Sequence, residues 1–260
     1  MNGKITIDST DEERTEILLH KKLTIVSWNQ DKELIITDPN ESTAKALKRY
    51  SQEQGLRNKE IHFSDFHSPI KFTQSTLKES ITQMSKRNAN LVNLGKLLSV
   101  LEPVCKNAIK IEIEDYRHIE KRHEDIKRVH QLLSAFHDGE KAYPVKITIN
   151  EKETQKHQFY MVITVGEIDI SHKIKEALTN TGAHQPMDEG SLSDGRASFT
   201  ITVPSFIANF NRSESIIIKN LPNGLLNNEQ RGIKERVLEA DARKEVGVKI
   251  RLSSKEVNQL

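Results

Sequence analysis

Four side chains form a set that can handle both a proton and a phosphate: His130, Lys146, Thr148 and Tyr160. Metal-free RNA cleavage needs a base for the 2′-hydroxyl, an acid for the leaving 5′-oxygen, and a cation for the charge that builds on phosphorus. Histidine, lysine, threonine and tyrosine on adjacent strands can divide those roles. The competing reading is structural, with His130 a satisfied core or edge histidine and Lys146 directed to solvent.

The other reactive residues point away from metals and cofactors. His118, His123, His130 and His137 cluster in sequence, but spacings of five and seven fit no helical i, i+4 ligand pair. Cys105 is the only cysteine, which excludes an intramolecular disulfide and a thiolate-built zinc site. There is no Walker A loop, GxGxxG, HExxH or GxSxG, so no cofactor is expected. Arg117, Lys121, Arg122, Lys127 and Arg128 make a basic run, but Asp115, Glu120, Glu124 and Asp125 interleave it. That pattern reads as a solvated, salt-bridged surface.

Whether His130 shares a face with Lys146 depends on one hairpin. A three-residue loop, Asp138–Gly139–Glu140, sets His130 opposite Thr148. His130, Lys146 and Thr148 then lie together, away from Val145, Ile147 and Ile149. A two-residue loop, Gly139–Glu140, sets Asp138 opposite Lys141 and moves His130 to the apolar face. One residue of slip turns every side chain over. The three-residue form is favoured here because it separates polar from apolar residues on the second strand.

The elements that must hold these residues follow from periodicity. Lys22–Trp28 and Glu33–Thr37 read as a hairpin. Ser42 or Thr43 caps a helix carrying Ala44, Leu47 and Tyr50, which Gly55 ends. Thr76 and Glu79 look like a capping box before Leu77, Ile81 and Met84. Leu91, Leu94, Leu98 and Leu101 stripe a second helix, closed by Pro103. The period then changes to two at Ile109, Ile111 and Ile113, a half-buried strand. Strands are expected at Arg128–His137, Ala142–Ile149 and Gln158–Val165, the last apolar on both parities as a central strand would be. Further along, strands are expected at Ser198–Val203, Ser215–Lys219 and Val246–Leu252. A helix over about 227–244 has Ile233, Val237 and Ala240 on its inner stripe.

This gives an α+β fold, helices followed by an antiparallel meander. Four segments are expected: 1–67 as a hairpin and helix, 68–178 as the α+β unit, 179–197 as a Gly-, Pro- and Ser-rich linker, and 198–260 as a C-terminal α/β segment. Lys and Arg total 39 against 37 Asp and Glu, so no strong overall field favours nucleic acid or an anionic membrane. Apolar residues make up 35% of the chain, too many and too regularly placed for disorder. The N-terminal stretch lacks an apolar signal core, and the uncharged run Ala197–Asn211 is too short to cross a bilayer. A cytoplasmic protein with no membrane partner is the expectation.

The stretches IKFTQSTLKESI, NLVNLGKLLSVLEPVCKNAIKIEIE, IKRVHQLLSAFHDGEKAYPVKITI and FYMVITVGEI, over about residues 69–168, resemble a domain of large polyvalent proteins from phages and conjugative elements. The resemblance implies a nuclease-like fold of the barnase–EndoU–colicin–RelE group, with helices before an antiparallel sheet. His130 matches a His or aromatic position of that pattern. Where the family often carries a His or acidic pair after the last strand, this chain reads GEIDISH. The resemblance implies either an RNase-like domain acting on RNA, or a non-catalytic module binding another protein of the same mobile element.

Overall fold

A computed structural model describes residues 3–28, 34, 41–116, 126–152, 159–169 and 198–257; side chains of 159, 160 and 244–257 lie outside the description. The order is α1 (Asp11–Leu19), β1 (Lys22–Ser27), α2 (Thr43–Glu53), β2 (Lys59–Ile61), β3 (Ile70–Phe72), α3 (Gln74–Ser85), α4 (Leu91–Ser99) and α5 (Leu101–Lys106). Then come β4 (Ile109–Asp115), β5 (Ile126–His137), β6 (Lys141–Lys152), β7 (Phe159–Val165), β8 (Ile168–Asp169) and β9 (Phe199–Thr202). The chain closes with α6 (Val203–Ile207), α7 (Ser215–Ile218) and α8 (Asn228–Val257). The fold is α+β. No helix of the described residues is long and apolar enough to cross a membrane.

The meander β4–β5–β6–β7 is antiparallel throughout. It belongs to a larger sheet ordered β7-β6-β5-β1-β9, with β4 also on β5 and β8 on β6. β1 runs parallel to β5 and antiparallel to β9, so its edges are taken by distant strands rather than by a hairpin partner. Most of the expected partner, residues 33–37, lies outside the described residues, as does the 179–197 linker. β9 extends the same sheet, so strands from the first, middle and last segments lie side by side.

Helices cover both faces. On one, α2, α3, α4 and α5 pack Leu47, Leu77, Met84, Leu94, Leu98 and Val104 against Leu132, Phe136, Val145, Ile147, Ile149 and Ile163. On the other, α1, α6, α7 and the start of α8 set Leu18, Phe206, Ile207, Ile218 and Ile233 against Leu23, Ile25, Leu133, Ala135 and Phe199. β5 is therefore buried on both faces from Val129 to His137. The expectation for β7 is corrected: it is an edge strand, with Met161 and Ile163 facing the first core and Val162 and Thr164 facing the other way.

Local chemistry explains other departures. α3 is capped one turn earlier than Thr76, by Thr73, whose hydroxyl accepts from Thr76 N–H at 3.1 Å. Pro103 starts α5 instead of ending α4, because a first-turn residue needs no N–H donor. Ser215–Lys219 is helical, not a strand. Asn211 and Glu214 cap each other around a 3-10 turn that feeds α7, overriding the β preference of three successive isoleucines. Val246–Leu252 lies inside α8, where propagation from a capped start outweighs local β-branching. Asn227 provides that start, accepting from Gln230 N–H at 2.9 Å. Along α8, Ile233 is buried and Val237 half-buried, but Ala240 is exposed.

Candidate functional site

The β5–β6 hairpin closes with the two-residue loop, and the register expected above is corrected. His137 pairs with Ala142 and His130 with Ile149. Gly139 takes the first loop position at φ 92°, a conformation that favours glycine. Asp138 fixes the turn, its Oδ1 accepting from the N–H groups of Glu140 (3.1 Å) and Lys141 (2.8 Å). The physical reason lies on β5. A three-residue loop would have put Leu132 and Phe136 on the face of Lys146 and Thr148. The observed register instead sets Leu132 against Ile147 and stacks Phe136 on Tyr143 with centroids 4.7 Å apart.

This register divides the four expected site residues. His130 lies on the first face, 7% exposed, edge-on to Phe66 at 5.1 Å and 3.2 Å from Glu151 Oε2. Burial holds its pKa below the ordinary value, outweighing the bond to Glu151. It lines a hollow of about 360 Å³ with Asp65, Lys110 and Arg128. Lys146 and Thr148 lie on the opposite face. Tyr160 pairs by backbone with Asn150, and its side chain is outside the described residues. The reading that joined His130 to Lys146 and Thr148 is therefore corrected.

A bulge adjusts the neighbouring strand. Between Lys110 and Glu112 the register of β4 shifts, so Ile111 and Glu112 both turn to the second face while Ile113 pairs with His130. Glu112 thereby meets Arg14 at 3.1 Å and accepts from Asn220 Nδ2. Asn220 Oδ1 in turn accepts from Lys146 Nζ, which also donates to the Ile216 carbonyl at 3.3 Å. Lys146 is only 5% exposed. Burial, then the like charges of Lys219 and Arg87, lower its pKa to about 7, with Glu112 and Glu114 only partly opposing them.

Among the described residues, the second helical layer stops short of the far ends of β5–β7. What it leaves open is a cleft of about 630 Å³. Its floor is the polar parity of the strands: Gln131, Lys146, Thr148, Asn150 and Thr164. Its walls are Glu79, Gln83 and Arg87 from the α3 side, and Ile216 and Lys219 from α7. Thr148 donates to Gln131 Oε1 at 2.8 Å. Among the described residues, Arg87, Lys146, Lys152 and Lys219 face it against one carboxylate, Glu79. Sequence reasoning missed Arg87, Gln131, Lys219 and Asn220. The alternation of Lys146, Thr148, Asn150 and Lys152 with Val145, Ile147 and Ile149 was the visible sign of this face. Among the described residues no group of three or more His, Cys, Asp or Glu gathers to hold a metal. His130 and His137 stand on opposite faces, and His118 and His123 lie outside the described residues.

The span that carries most of this floor has a counterpart among known families. Residues 40–160 match the family model of large polyvalent protein-associated domain 3. The match covers just under half of the chain. It begins before the expected residue 69, taking in α2 and the β2–β3 ribbon, and it ends at the start of β7. The matched span contains Arg87, Gln131, Lys146 and Thr148, while Lys219, at the end of α7, lies outside it. No curated protein and no solved structure matches the chain.

Proposed function

We propose that this is a mobile-element-associated, RNase-like protein that cleaves RNA without metal in the open cleft, acting in the cytoplasm. One observation carries the reading: Lys146 sits at the cleft floor with a pKa lowered to about 7, so that a large share of it is a neutral amine near neutral pH. A lysine tuned in this way can act as a general base. In the proposed reaction its amine takes the 2′-hydroxyl proton, and the 2′-oxygen bonds to phosphorus. The bond from phosphorus to the 5′-oxygen breaks, and that oxygen takes a proton from the Lys219 ammonium. The products are a 2′,3′-cyclic phosphate and a 5′-hydroxyl. The Arg87 guanidinium offsets charge on the phosphoryl oxygens. Thr148, held by Gln131, orients the ribose.

The test is purified protein with mixed RNA, with and without EDTA, beside Lys146→Ala and His130→Ala variants. Cleavage should survive chelation and rise with pH through about 7 as Lys146 loses its proton. The Lys146 variant should lose roughly 10²–10⁴-fold in rate, the usual general acid–base share. The His130 variant should keep its rate per folded molecule. Absence of cleavage by the wild type across pH and salt would sink this reading and favour a non-catalytic interaction module.

A further inference from the structure

The cleft does not end at α7. A second hollow of about 390 Å³ lies between α7 and α8, and it shares Arg87, Ile216 and Lys219 with the first. We take the two, adjoining at those three side chains, as parts of one trough. Along it stand Lys152, Lys146, Arg87, Lys219, Arg212 and Arg236, against the carboxylates Glu79 and Asp241. Among the described residues, five side chains that stay cationic and the titrating Lys146 stand against two carboxylates, one of which, Asp241, pairs with Lys219 at 2.9 Å; this is a local excess in a chain whose totals are 39 and 37. The near-balance of the whole molecule hides a segregation of charge.

The shape and lining suit a strand. From Lys152 to Lys146 along β6 is about 20 Å at the usual strand rise, room for several nucleotides ahead of the hollow lined by α7 and α8. Ile216, Ile233 and Val237 give the second hollow an apolar floor. Arg212 and Arg236 are exposed beside it, where guanidinium planes can pair with phosphates or stack on bases. Behind burial, the like charges of Lys219 and Arg87 disfavour the charged form of Lys146, which an incoming polyanion would relieve.

We propose that the trough binds a single-stranded RNA several nucleotides long, and that α7 and α8, outside the family match, are the elements that hold its far end. This rests on the reading of the cleft as an RNA site and adds the length and path of the ligand. An acidic polypeptide is the competing occupant. The apolar floor beside guanidinium groups favours bases over carboxylate side chains.

The experiment uses the full chain and 2′-O-methyl oligouridines, which lack the hydroxyl needed for cleavage. Labelled 3-mers and 12-mers are titrated at several salt concentrations and read by fluorescence anisotropy. The 12-mer should bind the more tightly. The double variant Arg212→Glu, Arg236→Glu should weaken 12-mer binding by about tenfold or more at low salt and lower the salt slope by about one to two. Its 3-mer binding should hold, and its circular dichroism should be unchanged because both residues are exposed. A 12-mer that binds no better than the 3-mer, or a double variant equal to wild type, would overturn the proposal. So would polyglutamate competing as well as oligouridine. If the 12-mer binds as expected but unmodified RNA stays intact, the trough stands as an RNA site and the cleavage reading is the one that fails.

Discussion

An ammonium group with almost no solvent contact needs either a carboxylate at its side or a lower pKa. Lys146 has the second, with Asn220 and a carbonyl as its hydrogen-bond partners. The consequence for stability has a definite sign. In the unfolded chain the lysine titrates near 10.4, and in the folded protein at about 7. Between those values the unfolded state binds more protons, so this group makes stability rise with pH. Below about pH 7 both states are protonated and the penalty is fully present. Lys146→Met should therefore raise the urea midpoint at pH 6, with the gain shrinking by pH 9.5; an equal gain at both values would contradict the lowered pKa. At this scale the sequence was half legible. The residue types on the open face, Lys146 and Thr148, could be read from alternation along β6. Their company could not, because Arg87, Lys219 and Asn220 arrive from distant parts of the chain. His130 was misjoined because segregation was weighed on β6 alone, while Leu132 and Phe136 on β5 decided the register.

Elements show how tertiary contacts settle what periodicity leaves open. β7 looked central because both of its parities are apolar, yet it lies at the sheet's edge. α3 lies over that edge, and Ser80 Oγ accepts the N–H of Ile163 at 2.9 Å while donating to the Thr76 carbonyl at 2.7 Å. A buried hydroxyl thus does the work of a missing strand and blunts the edge against pairing with another chain. Ser80→Ala would leave a buried donor without a partner. It should cost about 1–3 kcal/mol, read as a lower urea midpoint with the m-value kept. No change in midpoint would mean that water or another group takes the Ile163 N–H. The strands of the meander and the leucine stripe of α4 were legible because each pattern matches its own local element. The bulge in β4 was not, since strict alternation of isoleucines hides the point at which Ile111 and Glu112 turn the same way. The isoleucines of α7 were misread for a similar reason: a short capped turn prevailed over β propensity.

At the scale of the molecule, the sheet joins the two ends of the sequence. β1 sits between β5 and β9, with Ile25 paired to Ala135 on one side and to Phe199 on the other. Ending the chain at residue 197 would remove β9 with α6–α8 and uncover Leu23, Ile25 and Leu133. The shortened protein should self-associate, as seen by light scattering after size exclusion, while the full chain gives a single lower mass; a well-behaved monomer from the short form would show that the second layer is dispensable. The same strand arrangement bears on how the protein is made. β1 leaves the ribosome about 170 residues ahead of its last neighbour, β9, a wait on the order of ten seconds or longer at ordinary synthesis rates. For that interval an apolar strand has an open side, and holding chaperones have a target. Nascent chains stalled just before residue 199 should be cut by protease around β1, and chains extended through α8 should resist.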